Sequence, residues 1–272
     1  MSASWDDLLD WFHDAGSVLV AYSGGVDSTL LARAAHDALG EGAVALTAVS
    51  ASLASSELAE ARQLAETMGI EHVLETSSET SLPQYLINDA NRCYHCKTEL
   101  YRICRRVAAE HGLTVIVNGL NADDLSDHRP GSRAADEAGV RSPFVELGFD
   151  KAAIREQSRR LGLPTAGKPE LACLASRFPT GTPITIAGLE RVAAAERVVA
   201  GLGFSQFRVR FHGELARIEV PAEEIPRLAD HELRQRLLTG VREAGFRFAT
   251  VDLAGYVRGS SNPVAMAATG ED

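Results

Sequence analysis

Short apolar runs alternate with segments of helical periodicity through the first 117 residues, and that alternation restricts the fold more than any other feature. Ser17–Tyr22 (SVLVAY), Ala43–Ser50 (AVALTAVS), Glu71–Thr76 and Thr114–Val117 read as buried strands. Between them, Ser28–Leu39 and Ser55–Met68 read as helices; the second carries Leu58, Ala61, Leu64, Ala65 and Met68 along one face. A further helix is expected over about Lys97–His111. Parallel strands need crossover connections, so the order βαβαβ…αβ implies an α/β domain with helices on both faces of a parallel sheet.

Beyond Asn118 the periodicity fades until Phe149, and an irregular stretch of that length is more often functional than idle. Asp150 is placed to cap a helix to Leu161, and a loop over Gly162–Pro183 carries Cys173. After Pro183 a helix (Ala187–Leu202) precedes two alternating strands, Gln206–Phe211 and Ala216–Val220. Two short helices and a strand at Phe246–Asp252 follow. The expected division is therefore a domain over 1–183, a smaller α+β domain over 184–256, and a Gly/Ser/Ala-rich tail over 257–272 expected to be disordered.

The formal net charge is −10, from 27 Lys+Arg against 37 Asp+Glu. That balance argues against nucleic acid as a partner. No apolar run is long enough to span a bilayer, and the acidic start (MSASWDD) reads as a helix N-terminus rather than a secretion signal, so a cytoplasmic protein is expected. Of the 4 cysteines, Cys93 and Cys96 form a C-x-x-C pair, a pattern of metal binding or thiol chemistry in a reducing compartment.

Ser23-Gly24-Gly25-Val26-Asp27-Ser28 lies between a strand and a helix, where phosphate loops belong. Gly24 and Gly25 let backbone N–H groups approach phosphate oxygens, and the next helix turns its positive end to the same place. Ser23 and Ser28 add hydroxyls, and Asp27 is a candidate Mg²⁺ ligand. The missing Gly-Lys-Ser/Thr excludes the loop of γ-phosphate hydrolysis. The string resembles the signature of the PP-loop ATP pyrophosphatases, which cleave ATP to AMP and pyrophosphate.

Asn118-Gly119-Leu120-Asn121-Ala122-Asp123-Asp124 follows a strand and so falls in the same crevice. Gly119, Asp123 and Asp124 are candidate nucleotide or magnesium contacts, against the alternative of a polar turn. Arg129 to Gly131 and Arg133 are either anion contacts or solvated loop charge. Cys93 and Cys96 share one face of a first helical turn but cannot complete a four-ligand site. With Cys173 they would match a 4Fe-4S cluster with one open iron; an unliganded pair is the alternative. Cys104 falls on a stripe with Leu100, Ile103 and Val107 and reads as core.

Lys168–Arg177 (KPELACLASR) places Cys173 among Lys168, Ser176 and Arg177, and such cations lower a thiol pKa. Arg208 and Arg210 share one strand face, where they form either a phosphate site or cross-strand salt bridges on a solvated surface. Arg217 and Glu219 alternate on the partner strand.

Taken in order, Ser23 to Ser28, NRCYHCK, NGLNADDLSDHRPG, RSPFVELG, KPELACLASR and RVRFHGELARIEV resemble the LarE family over most of residues 5 to 255. These are ATP-dependent sulfur transferases of nickel-pincer cofactor synthesis. The resemblance implies adenylation of a carboxylate of pyridinium-3,5-biscarboxylic acid mononucleotide and its conversion to a thiocarboxylate. It implies ATP, Mg²⁺, and a hexamer. In one form of the family a cysteine at the position of Cys173 gives up its own sulfur. In three-cysteine members a 4Fe-4S cluster carries sulfide supplied as such or by a donor protein, and Cys93, Cys96 and Cys173 match that pattern. On this reading Arg208 and Arg210 serve the substrate phosphate, and Ser176 and Arg177 the nucleotide. A tRNA-thiolation enzyme and a non-catalytic ATP-binding regulator are the rival readings.

Overall fold

The computed structural model describes residues 4–126, 130–169 and 172–257. Helix α1 (Trp5–Ala15) opens on a capping box between Ser4 and Asp7. It is followed by β1 (Val18–Ala21), α2 (Val26–Leu39), β2 (Ala43–Val49), α3 (Ser55–Met68) and β3 (Glu71–Thr76). Next come α4 (Pro83–Leu86), α5 (Arg92–Glu110), β4 (Val115–Val117), α6 (Pro130–Glu137), α7 (Pro143–Leu147) and α8 (Lys151–Arg160). The remaining elements are α9 (Ile186–Gly201), β5 (Arg208–His212), β6 (Leu215–Glu219), α10 (His231–Glu243) and β7 (Phe248–Val251). The expected strands and long helices are present within a few residues of their expected ends. The helices α6 and α7 are not expected from the sequence. With eight and five residues they are too short for a 3.6-residue period to show.

The chain forms two compact units, one of residues 1–86 and 90–172, the other of 87–89 and 173–272. In the first, the order β3-β2-β1-β4 is parallel throughout. Successive residues of β1 face opposite layers: Val18 and Val20 join α1, α2 and α8, while Leu19 joins α5. Cys104, fully buried in the α5 layer, is core as expected. Strand order reverses at β1, with β2 on one side and β4 on the other, so the loops after β1 and β4 open into one crevice at the strands' carboxyl ends.

In the second unit, β5 and β6 are antiparallel and β6 and β7 parallel, giving the order β5-β6-β7. Residues 173–183 belong here, ahead of the expected boundary at 183/184, because their side chains pack within this unit. Phe178 stacks on Phe211 at 4.4 Å between ring centroids. Asn88 fastens the short 87–89 piece: its Nδ2 donates to Pro179 O (2.9 Å) and Thr182 O (2.8 Å), and its carbonyl accepts from Gly181 N (2.8 Å). It takes φ 58°, a left-handed conformation that Asn tolerates better than most residues. The tail from residue 258 and Arg129 lie outside the described residues.

Asn88→Ala should lower unfolding free energy by about 2–4 kcal/mol in a urea titration, from two lost buried hydrogen bonds plus left-handed strain. Asn88→Gly should lose less, since it relieves the strain.

Candidate nucleotide site and anion site

In the first unit the loop after β1 is closed by its own serines. Ser28 Oγ accepts from Ser23 N (3.2 Å), lies 3.1 Å from Ser23 Oγ, and donates to Gly25 O (3.3 Å). Gly24 has φ 71°, and a Cβ there would stand 2.8 Å from Ala61 Cβ. Only glycine meets both conditions. Gly25 is the N-cap of α2 and offers no side-chain cap, so the helix presents its first amides toward the crevice. Gly119 lies against the start of α2: a Cβ would come within 3.1 Å of Ser28 N and 3.2 Å of Asp27 Cβ.

Asp27 Oδ2 accepts from Lys151 Nζ at 2.5 Å, while Asp27 Oδ1 is buried and has no hydrogen-bond partner among the described residues. A buried carboxylate oxygen without a donor is costly, and a divalent cation would relieve that cost. The residue therefore fits the expected Mg²⁺ role. Asp123 Oδ2 accepts from Lys151 N (2.9 Å), and Asp124 Oδ2 accepts from Asn121 N (3.2 Å) in its own turn. Lys168 Nζ donates to Gly24 O (3.2 Å) and pairs with Glu60 (2.7 Å). Arg155 holds the backbone that delivers it, donating to Ala166 O (2.7 Å) and Lys168 O (2.9 Å).

Lys151 is absent from the sequence-derived candidates, yet it leaves a signal there. It is the first residue after the cap Asp150, where the helix dipole disfavours a cation, and α8 has no acidic residue in its first turn.

Cys93 is exposed and Cys96 half-buried at the start of α5. Cys96 Sγ donates to Glu79 Oε2 (2.8 Å), and the nearly buried Glu79 also accepts from Ser50 (2.6 Å) and Ser52 (2.5 Å). Among the described residues no three His, Cys, Asp or Glu side chains gather as a metal site. Cys93 and Cys96 lie in the first unit and Cys173 in the second. Burial pushes the Cys104 thiol up to about 12, which leaves it unreactive.

In the second unit Cys173 is exposed, and its carbonyl accepts from Arg177 Nη1 (3.1 Å). Ser176 and Arg177, expected beside the nucleotide, are bonded to each other here: Arg177 Nη1 donates to Ser176 Oγ (3.0 Å). Arg177 forks onto Glu196 at 2.8 and 3.0 Å, and Glu196 also accepts from Val209 N (3.1 Å). Arg210 reaches Glu219 through Nε (3.0 Å) and Nη2 (2.8 Å), and Ser176 O through Nη1 (3.1 Å). Glu219 also takes Arg217 at 3.0 Å.

Cross-strand ion pairs are therefore present, but the surface is not the solvated one considered from the sequence, since Arg210 is 6% and Glu219 0% exposed. Both faces of β5 are covered. Arg208 shares this environment. Burial, then the charge of Arg177, holds its guanidinium pKa below the usual value. Among the described residues, Arg177, Arg208 and Arg210 gather around Glu196 and Glu219.

The asparagine synthase family matches residues 13–166, the part that carries the glycine loop and the parallel sheet. The chain belongs to this family. It is an ATP-dependent enzyme of the PP-loop class, as the loop implies. An uncharacterised protein of Synechocystis sp. is 44% identical over 97% of this chain and 98% of its own length. The pyridinium-3,5-bisthiocarboxylic acid mononucleotide synthase of Lactiplantibacillus plantarum is 36% identical over 94% of this chain and 92% of its own length. No described helix is long and apolar enough to cross a membrane.

Replacing Arg210 with Ala should cost about 3–5 kcal/mol in a denaturant titration, because Glu219 would keep a buried charge with Arg217 as its remaining ion-pair partner. The double change Arg210→Met with Glu219→Gln should cost clearly less.

Proposed function

We propose that this chain adenylates a carboxylate of a pyridinium dicarboxylic acid mononucleotide and replaces the adenylate with sulfur. The observation that carries the reading is the first unit's loop: an uncapped α2 N-terminus beside the buried Asp27 Oδ1, which has no hydrogen-bond partner among the described residues. The name of the Lactiplantibacillus relative, similar along nearly the whole chain, supplies the substrate class. The grouping of Arg177, Arg208 and Arg210 in the second unit suits a phosphorylated substrate, because guanidinium forks match phosphate oxygens.

A substrate carboxylate oxygen attacks the α-phosphorus of ATP, forming a P–O bond as the bond to pyrophosphate breaks. The amides of α2, with the Ser23 and Ser28 hydroxyls, meet the developing charge of the leaving group. Mg²⁺ held by Asp27 would neutralise the phosphate oxygens. Gly119, which has no side chain to crowd Ser28 N, keeps the start of α2 open, and Gly24 lets the loop pack closely on Ala61. Sulfur then attacks the acyl carbon and AMP departs with the former carboxylate oxygen.

For the sulfur, the exposed Cys173 beside Arg177 supports donation by that side chain. The thiolate forms the C–S bond to the acyl group. Loss of the Cys173 Cα proton to a base then breaks the Cβ–S bond, leaving the thiocarboxylate and a dehydroalanine. The cluster implied by the three-cysteine resemblance would draw on Cys96, whose thiol is engaged by Glu79.

Asp27→Asn and Ser28→Ala should each reduce substrate-dependent pyrophosphate release by at least about a hundredfold, while circular dichroism stays unchanged. A wild-type rate in either variant would show that the loop is not the ATP site. Intact-protein mass spectrometry after turnover should show loss of H₂S at Cys173 and one turnover per chain. Constant mass with repeated turnover on added sulfide, in a brown iron-containing protein, would assign the sulfur to a cluster instead.

A further inference from the structure

The residue that orients the loop's carboxylate lies outside the loop. We propose that Lys151 is a positioning residue that fixes Asp27 as the magnesium ligand, an inference that rests on the adenylation reading above.

Lys151 is held at its backbone as well as its tip. Its N–H donates to Asp123 Oδ2 (2.9 Å), and the preceding Asp150 caps the helix through Ala153 N (2.7 Å). From that anchored position Nζ reaches Asp27 Oδ2 at 2.5 Å, and the two side chains are only 21% and 24% exposed. A lysine in the first turn of a helix opposes the macrodipole, so a local carboxylate has to compensate it. Asp27 and Asp123 both do.

The consequence falls on the other oxygen of Asp27. With Oδ2 fixed by Lys151, and the Gly119 backbone close enough to Asp27 Cβ that a methyl group would stand at 3.2 Å, Oδ1 is left buried with no hydrogen-bond partner among the described residues. One oxygen spent on an ammonium and the other kept free is the arrangement of a ligand oriented by its outer partner. Lys168 gives parallel support at the opposite end of the loop, through Gly24 O at 3.2 Å. The phosphate loop is thus braced by two lysines that its own sequence does not contain.

The test reads Mn²⁺ binding by electron paramagnetic resonance, with the non-hydrolysable α,β-methylene analogue of ATP bound, and so does not depend on turnover. Lys151→Met should weaken Mn²⁺ binding by about 10–100-fold, the range for loss of a ligand's outer partner. Affinity for the analogue without metal should change by less than about threefold, and Lys151→Arg should restore most of the loss, because it returns the charge-assisted bond. Unchanged Mn²⁺ affinity in a folded variant would overturn the proposal. So would an equal loss of metal-free analogue affinity, which would place Lys151 on the phosphates themselves. If Lys151→Met does not fold, Lys151→Gln, which keeps a donor but no charge, is read against the same thresholds. Wild-type enzyme that binds Mn²⁺ with the analogue but releases no pyrophosphate with the mononucleotide would count against the adenylation reading and leave this inference standing.

Discussion

A site for phosphate made of backbone amides has to keep those amides unspent while holding the chain still, and much of the first unit serves that requirement. The amides at the start of α2 carry no side-chain cap because the N-cap is Gly25. Rigidity comes from elsewhere: the Ser23–Ser28 hydroxyl pair inside the loop, Ala61 packed against Gly24, and Lys168 on the Gly24 carbonyl. A capping Ser or Asp at position 25 would stabilise the helix by about 1 kcal/mol, but would occupy the donors the ligand needs. On the proposed reading, that departure from ordinary helix capping is what leaves the amides for the ligand.

The second unit solves the opposite electrostatic problem. It collects arginines in a partly buried place, where unpaired charge is expensive, and stabilises them with Glu196 and Glu219. Glu219 bridges Arg210 and Arg217, and Arg217 continues to Asp252 at 3.1 Å. The carboxylates hold the guanidiniums in place through charge-assisted hydrogen bonds. Arg208 feels this most, since burial and Arg177 both disfavour its charge.

The thiols divide by environment more than by sequence position. Cys104 is inside the α5 layer, Cys96 is hydrogen-bonded to a carboxylate that two serines also hold, and Cys93 and Cys173 face solvent. Spacing paired Cys93 with Cys96, the resemblance added Cys173, and neither reports which side chains surround each thiol. The carboxylate of Glu79, distant in sequence from Cys96, carried no local signal of that engagement.

The parallel sheet, the long helices and the glycine loop were legible in the sequence because each is written in nearest-neighbour terms. Alternation of apolar runs fixes strands, a 3.6-residue period fixes α3, and glycines between strand and helix fix a phosphate turn. Short helices such as α6 and α7 were not legible, since a period cannot show in one or two turns. Pairings across long separations were not legible either. Lys151 with Asp27, Lys168 with Gly24, Arg177 with Glu196 and the burial of Arg210 and Glu219 exist only once strands and helices are packed. The sequence by itself determined which backbone could cradle a phosphate. Tertiary structure decided which distant charges orient it, because Coulomb and hydrogen-bond energies depend on separation and burial in space rather than on separation along the chain.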